Sequence, residues 1–154
     1  MTKPIPEGYD SVIPALGIKD AAGAIEFYKK VFGATELARM ADREGNIAHA
    51  ELQIGGGKIM LGDQSPERGN HSPASLGGTP VRLHLYVEDV DEVAKRAVEN
   101  GARIVIPVED QFYGDRSGQL EDPFGHLWWV ATHKEDVAPE EIQKRAQAMF
   151  AGQK

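Results

Sequence analysis

Apolar positions along this chain follow two rhythms, and the rhythms alternate in the same order twice. Between residues 21 and 32, Ala21, Ala24, Ile25, Tyr28, Val31 and Phe32 recur every three or four residues, which lays them on one face of a helix. Asp20 precedes them with a carboxylate placed to cap the first turn, and Gly33 follows as a natural stop. Before that helix, residues 11–18 are apolar and extended, with Pro14 inside them, as suits an edge strand or the first half of a strand. After it, residues 35–40 and 47–54 read as strands joined by a hairpin turn at residues 43–46. Gly55, Gly56 and Gly57 then turn the chain into a further strand over residues 58–61. The order is β-α-β-β-β.

Residues 63–80 are rich in Gly, Ser, Pro and Asn and read as a linker, long for a compact domain. The pattern then restarts. Residues 81–87 form a strand, and Asp89 with Glu92 makes a capping box for a helix that buries Val90, Val93, Ala94, Ala97 and Val98. Gly101 stops it, residues 102–106 form a strand, and a loop carries Pro107 and residues 111–114. Residues 113–118 are turn-rich and residues 119–121 are a short extended piece. Asp122-Pro123-Phe124-Gly125 is a tight turn, and residues 126–132 alternate as a half-buried strand. The halves share local residues too. Gly17-Ile18-Lys19-Asp20 precedes the first helix and Tyr86-Val87-Glu88-Asp89 the second, while Gly33-Ala34 closes one and Gly101-Ala102 the other. Such a duplication predicts two pseudo-symmetric α+β modules whose sheets together enclose a cavity. A last helix over residues 139–151 opens on Pro139 with Glu140 and Glu141 against its dipole. Its stripe of Ile142, Ala146, Met149 and Phe150 is expected to pack on its own sheet.

Composition narrows the chemistry. The 154 residues are 41% hydrophobic and 27% charged, the balance of a soluble globular domain. No apolar run approaches the roughly 20 residues that span a bilayer, and residues 1–10 lack a secretory core. With no cysteine, disulfides, thiolate nucleophiles and zinc–thiolate sites are excluded. These features predict a cytoplasmic protein. A net charge of −7 argues against a nucleic-acid partner and favours a neutral or cationic ligand. The run Gly55-Gly56-Gly57 is not a phosphate loop, because no helix opening on Lys-Ser or Lys-Thr follows it.

The order of several motifs resembles the vicinal-oxygen-chelate superfamily of glyoxalase I, bleomycin-resistance proteins and extradiol dioxygenases. They are Ile25-Glu26-Phe27-Tyr28 with Val31-Phe32-Gly33, then Val87-Glu88-Asp89-Val90-Asp91, then Asp122-Pro123-Phe124-Gly125. Within it, His49-Ala50-Glu51-Leu52, Leu61-Gly62-Asp63, Gly114-Asp115-Arg116 and Ala131-Thr132-His133 resemble the PhnB-like branch. The resemblance implies one glyoxalase/bleomycin-resistance-like domain in a homodimer. Paired βαβββ modules (residues 8–62 and 81–134, linker 63–80) would form a cupped mixed sheet, followed by the C-terminal helix. It also implies a metal held by one side chain from each of four strands. Those positions fall on Ile13, Glu51, Arg82 and Trp129, of which Glu51 alone is a normal ligand.

Residues two apart on a strand share a face, so His49 joins Glu51, His84 joins Arg82, and Leu127 joins Trp129. Two readings follow. In the first, no cofactor is needed: His49, Glu51, Arg82, His84, Tyr113, Arg116 and Trp129 bind a small molecule, with Trp129 stacking on a flat or cationic ligand and Glu51 paired with Arg82. In the second, His49, Glu51 and His84 hold one divalent ion for a lyase, isomerase or dioxygenase. His126 and Trp128 face the other way and are expected beneath a helix, with His126 bonded to a backbone carbonyl.

Overall fold

The computed structural model describes residues 1–152, which form two compact units: Met1–Pro80 with Pro123–His126, and Val81–Asp122 with the chain from Leu127 onward. The expected α+β fold is present, with one four-stranded mixed sheet in each unit.

In the first unit, β1 (Ala15–Ile18), α1 (Ala21–Phe32), β2 (Thr35–Ala41), β3 (Ile47–Ile54) and β4 (Gly57–Asp63) follow in order. The sheet order is β1-β4-β3-β2, with β1 parallel to β4 and the other pairs antiparallel. β1 is shorter than the apolar pattern predicts. Pro14 has no N–H for a ladder, although its carbonyl still accepts from Met60 N at 2.8 Å. α1 spans the expected residues, and Asp20 accepts from Gly23 N at 3.0 Å. Its six expected apolar positions are buried, and Phe27 with them. Asp63 ties the unit together: one carboxylate oxygen accepts from Ala21 N at 2.8 Å and the other from Ile47 N at 2.7 Å.

The segment expected to be a plain linker is ordered. It holds a 3-10 turn (Pro66–Arg68) and a short helix α2 (Pro73–Leu76) capped by Ser72. Gln64 Oε1 accepts from the Ser72 and Ser75 hydroxyls at 2.7 and 2.6 Å. The segment lies so close to β1 that a Cβ on Gly17 would sit 2.1 Å from His71 O, so only glycine fits there. His126 is buried and bonds Gly17 O at 3.0 Å, the backbone carbonyl contact expected of it.

In the second unit, β5 (Arg82–Tyr86), α3 (Val90–Glu99), β6 (Arg103–Asp110), β7 (Asp115–Glu121) and β8 (Leu127–His133) give the order β5-β8-β7-β6, with β5 parallel to β8. Asp89 caps α3 by accepting from Glu92 N at 3.2 Å. Val90, Val93, Ala94 and Ala97 are buried, but Val98 remains 47% exposed, outside the stripe that the sheet covers. β6 runs through Pro107, beyond the expected stop. It is the edge strand, and register shifts flank Ile106, so the missing N–H breaks no regular ladder. β7 starts at Asp115, inside the stretch expected to be a turn.

The last helix, α4 (Pro139–Ala151), forms where expected but does not pack on the sheet. None of its described residues is buried, and Phe150 is 53% exposed. Arg145 Nη1 bonds Phe112 O at 3.0 Å, and the Phe150 ring lies 6.3 Å from that of Phe112.

The core depends on the α1-facing side of the first sheet, where Leu52 is fully buried. Leu52→Ala is expected to cost about 2–5 kcal/mol. Met40→Ala, at an exposed position of the same sheet, is expected to stay within about 0.5 kcal/mol. Urea unfolding midpoints of the two variants check the contrast.

Candidate ligand site

Strand alternation in the second unit builds the site. On β5, Leu83 and Leu85 alternate with the more exposed Arg82, His84 and Tyr86. Register sets Arg82 beside Leu127, His84 beside Trp129 and Tyr86 beside Ala131. On the far side of β8, Trp129 lies beside Gln119 and His133 beside Asp115. Arg82, His84, Tyr86, Tyr113, Asp115 and Trp129 line a cavity of about 450 Å³. Trp128 points the opposite way: it is 2% exposed, and its indole N–H donates to Asp122 at 2.9 Å.

The charges here are arranged unequally. The Arg82 guanidinium lies 5.4 Å from the centre of the Trp129 ring and donates to Gln119 Oε1 at 3.1 Å. Among the described residues it forms no ion pair. Asp115, by contrast, is 4% exposed and well served. It accepts from the Tyr86 hydroxyl at 2.8 Å and meets His133 Nδ1 at 2.7 Å, while His133 Nε2 meets Asp136 at 2.7 Å. The hydrogen bonds to Asp115 and Asp136 raise the His133 pKa above that of a free imidazole. The hydrogen bond to Asp115, with burial behind it, raises that of Tyr86. The His84 and Tyr86 rings lie 4.8 Å apart. Ser117, on the neighbouring strand, buries a hydroxyl with no partner among the described residues.

The first unit carries a second polar cluster. His49 Nε2 lies 2.8 Å from Glu51, and the Tyr9 hydroxyl donates to the other oxygen of the same carboxylate. Lys58 sits 5.0 Å from the Tyr9 ring centre and donates to Gly8 O. The bonds from Tyr9 and then His49 hold the Glu51 carboxyl below its usual range, and the Glu51 bond raises the Tyr9 phenol. Both Glu51 oxygens are therefore engaged. Among the described residues no group of three or more His, Asp or Glu side chains is arranged to hold a metal ion. The four positions that the resemblance assigns to a metal, Ile13, Glu51, Arg82 and Trp129, do not fit one chemically.

Of the residues singled out from sequence, Arg82, His84, Tyr113 and Trp129 line the cavity together. His49 and Glu51 belong to the other unit and pair with each other. Glu51 bonds Tyr9 and His49, and Arg82 donates to Gln119. Arg116 is not among the lining residues: it bonds Asp91 of α3 at 2.8 and 3.1 Å and Asp110 at 3.3 Å, pinning β7 to the helix side. Sequence reasoning missed Tyr86, which the same two-residue period from His84 would have added. It also missed the Asp115–His133 pair, which only the β7–β8 register creates. Tyr9 lies in an arm with no periodicity and had no signal.

Comparison with known proteins agrees with this architecture. The family description "Glyoxalase/Bleomycin resistance protein/Dioxygenase superfamily" matches residues 12–130. The Mycobacterium tuberculosis protein Rv0887c is 47% identical over 133 residues, covering 84% of this chain and 78% of its own. TioX from Micromonospora sp. ML1 superposes with a TM-score of 0.63 at 29% identity, covering 84% of this chain and all of its own. A PhnB protein from Bacillus cereus superposes with a TM-score of 0.63 at 18% identity, over 80% of this chain and 99% of its own, a likeness of fold.

The raised His133 pKa makes a signed prediction. Its contribution to stability is fully present below the ordinary imidazole value of about 6.5 and is lost as pH rises through the elevated folded value. His133→Asn is therefore expected to narrow the drop in urea midpoint between pH 6 and pH 8.5. A drop as steep in the variant as in the wild type would refute the assignment.

Proposed function

The chain belongs to the glyoxalase/bleomycin resistance protein/dioxygenase superfamily, and on that footing we propose that it captures a flat small molecule without a metal ion. One observation carries this reading: the cavity on β5, β7 and β8 is walled by an indole, an imidazole and two phenols, with a few polar groups set among them. Mostly aromatic walls with sparse, fixed polar atoms are the usual make-up of a small-molecule site. Trp129 is the platform, and the bonded pairs Arg82–Gln119 and Tyr86–Asp115 keep neighbouring polar atoms in place. Capture requires no bond to break. The assembly we propose is a homodimer, to be read by sedimentation velocity.

The competing reading is a metal-dependent lyase, isomerase or dioxygenase using His49, Glu51 and His84. Its weakness is chemical: the Glu51 carboxylate already accepts from Tyr9 and meets His49.

Calorimetric titration of chelator-treated protein with 2-naphthamide tests the proposal. The expected result is saturable binding of about one molecule per chain, weakened about tenfold in Trp129→Leu, as loss of an aromatic contact and its buried area implies. Carbonyl-isomerising or oxygenase turnover that appears only with Ni, Zn, Mn or Fe(II), and is lost in His49→Ala, would replace capture with the enzyme reading.

A further inference from the structure

We propose that the cavity takes a flat aromatic carboxylate, whose carboxylate lies on the open edge of Arg82; this deepens, and rests on, the reading of that cavity as a ligand site. The acidic composition of the chain points to a cation, but net charge describes the whole surface. Recognition depends on the groups that face the ligand.

Those groups differ in how far they are satisfied. Among the described residues, Asp115 is the one carboxylate that lines the cavity. It accepts from Tyr86, and it lies against His133, an imidazole that two carboxylates hold in favour of its proton. Its negative charge is already answered. Among the described residues, Arg82 is the basic side chain in the lining besides His84, and it has no ion-pair partner. Its one hydrogen-bond acceptor, Gln119, is a neutral amide that is itself 7% exposed.

That amide and the Trp129 ring below hold the guanidinium in place from two sides. A guanidinium has five N–H donors in a planar fork, and a single acceptor leaves most of them free. A held fork with free donors is matched by a planar carboxylate, which accepts two parallel bonds. One cation suits a monoanion better than a phosphate dianion. The rest of the lining, His84, Tyr86 and Tyr113 with Trp129, is aromatic. A ring joined directly to the carboxylate would lie against it.

The test uses three probes with one ring: 2-naphthoate, 2-naphthamide and 2-naphthylmethylammonium, titrated calorimetrically into the chelator-treated full chain. Naphthoate is expected to bind tightest, at least about tenfold tighter than the amide, the range of a charge-assisted hydrogen bond. Arg82→Gln is expected to remove that advantage, weakening naphthoate by at least about tenfold more than it weakens the amide. Arg82→Lys should keep part of it, because charge survives and the fork does not. If the amide or the ammonium matches naphthoate in the wild type, the carboxylate inference fails and capture of a flat ligand stands. If the naphthoate advantage persists in Arg82→Gln, Arg82 is not the contact and the inference fails. If none of the three gives a saturable heat, the cavity is not a ligand site and both readings fall. The wild-type comparison decides the question even where a variant does not fold.

Discussion

The register of β8 is the constraint on which the site depends. Trp128 and Trp129 are adjacent, so they face opposite sides of the sheet. Trp128 is the one inside, sealed by near-complete burial and by its bond to the buried Asp122. β8 is held on both flanks, by β5 in parallel and by β7 in antiparallel pairing. A slip of one residue would exchange the two indoles and reverse every side chain on the strand. With Trp128 sealed, Trp129 must face the other way, and the flanking strands bring Arg82, His84 and Tyr86 from one side and Gln119 and Asp115 from the other.

The duplication keeps the position of one structural hydrogen bond while changing its chemistry. In the first unit, the N-terminus of α1 donates from Ala21 to Asp63 at the end of β4. In the second, the N-terminus of α3 donates from Val90 to the Thr132 hydroxyl near the end of β8, at 2.9 Å. Both acceptors answer a helix N–H that has no partner within its own helix. The carboxylate has a second oxygen, and it accepts from Ile47 N. The hydroxyl has a proton, and it donates to Val87 O at 2.9 Å. Helix docking constrains the position, and the residue placed there decides what else is held.

The two units use their polar residues differently. In the first, Tyr9, His49 and Glu51 satisfy one another, with Lys58 against the arm that carries Tyr9. In the second, Asp115 is the centre of a chain running from Tyr86 to Asp136, and Arg82 stands apart from it on an aromatic platform. The apolar stripe of α4 is a separate matter. Its spacing suits a buried face, yet none of its described residues is buried, and Arg145 ties it to Phe112 O and Glu135.

Local pattern by itself determined the element order, the span of α1, the capping by Asp20 and Asp89, and the opposed faces of Trp128 and Trp129. These depend on periodicity and on hydrogen bonds only a few residues long, which the chain carries in its own order. It also brought Arg82, His84 and Trp129 to one face, because alternation and a correct strand pairing suffice for that. Tertiary structure decided the rest. Pro107 stays within a strand because β6 is an edge, and residues 63–80 are ordered because Gln64 bonds Ser72 and the His71 carbonyl packs against Gly17. Asp115 and His133 come together through register, and Arg116 turns away to Asp91, 25 residues earlier in the chain. Which charges are answered and which remain open depends on pairings across strands. No run of neighbouring residues contains that information.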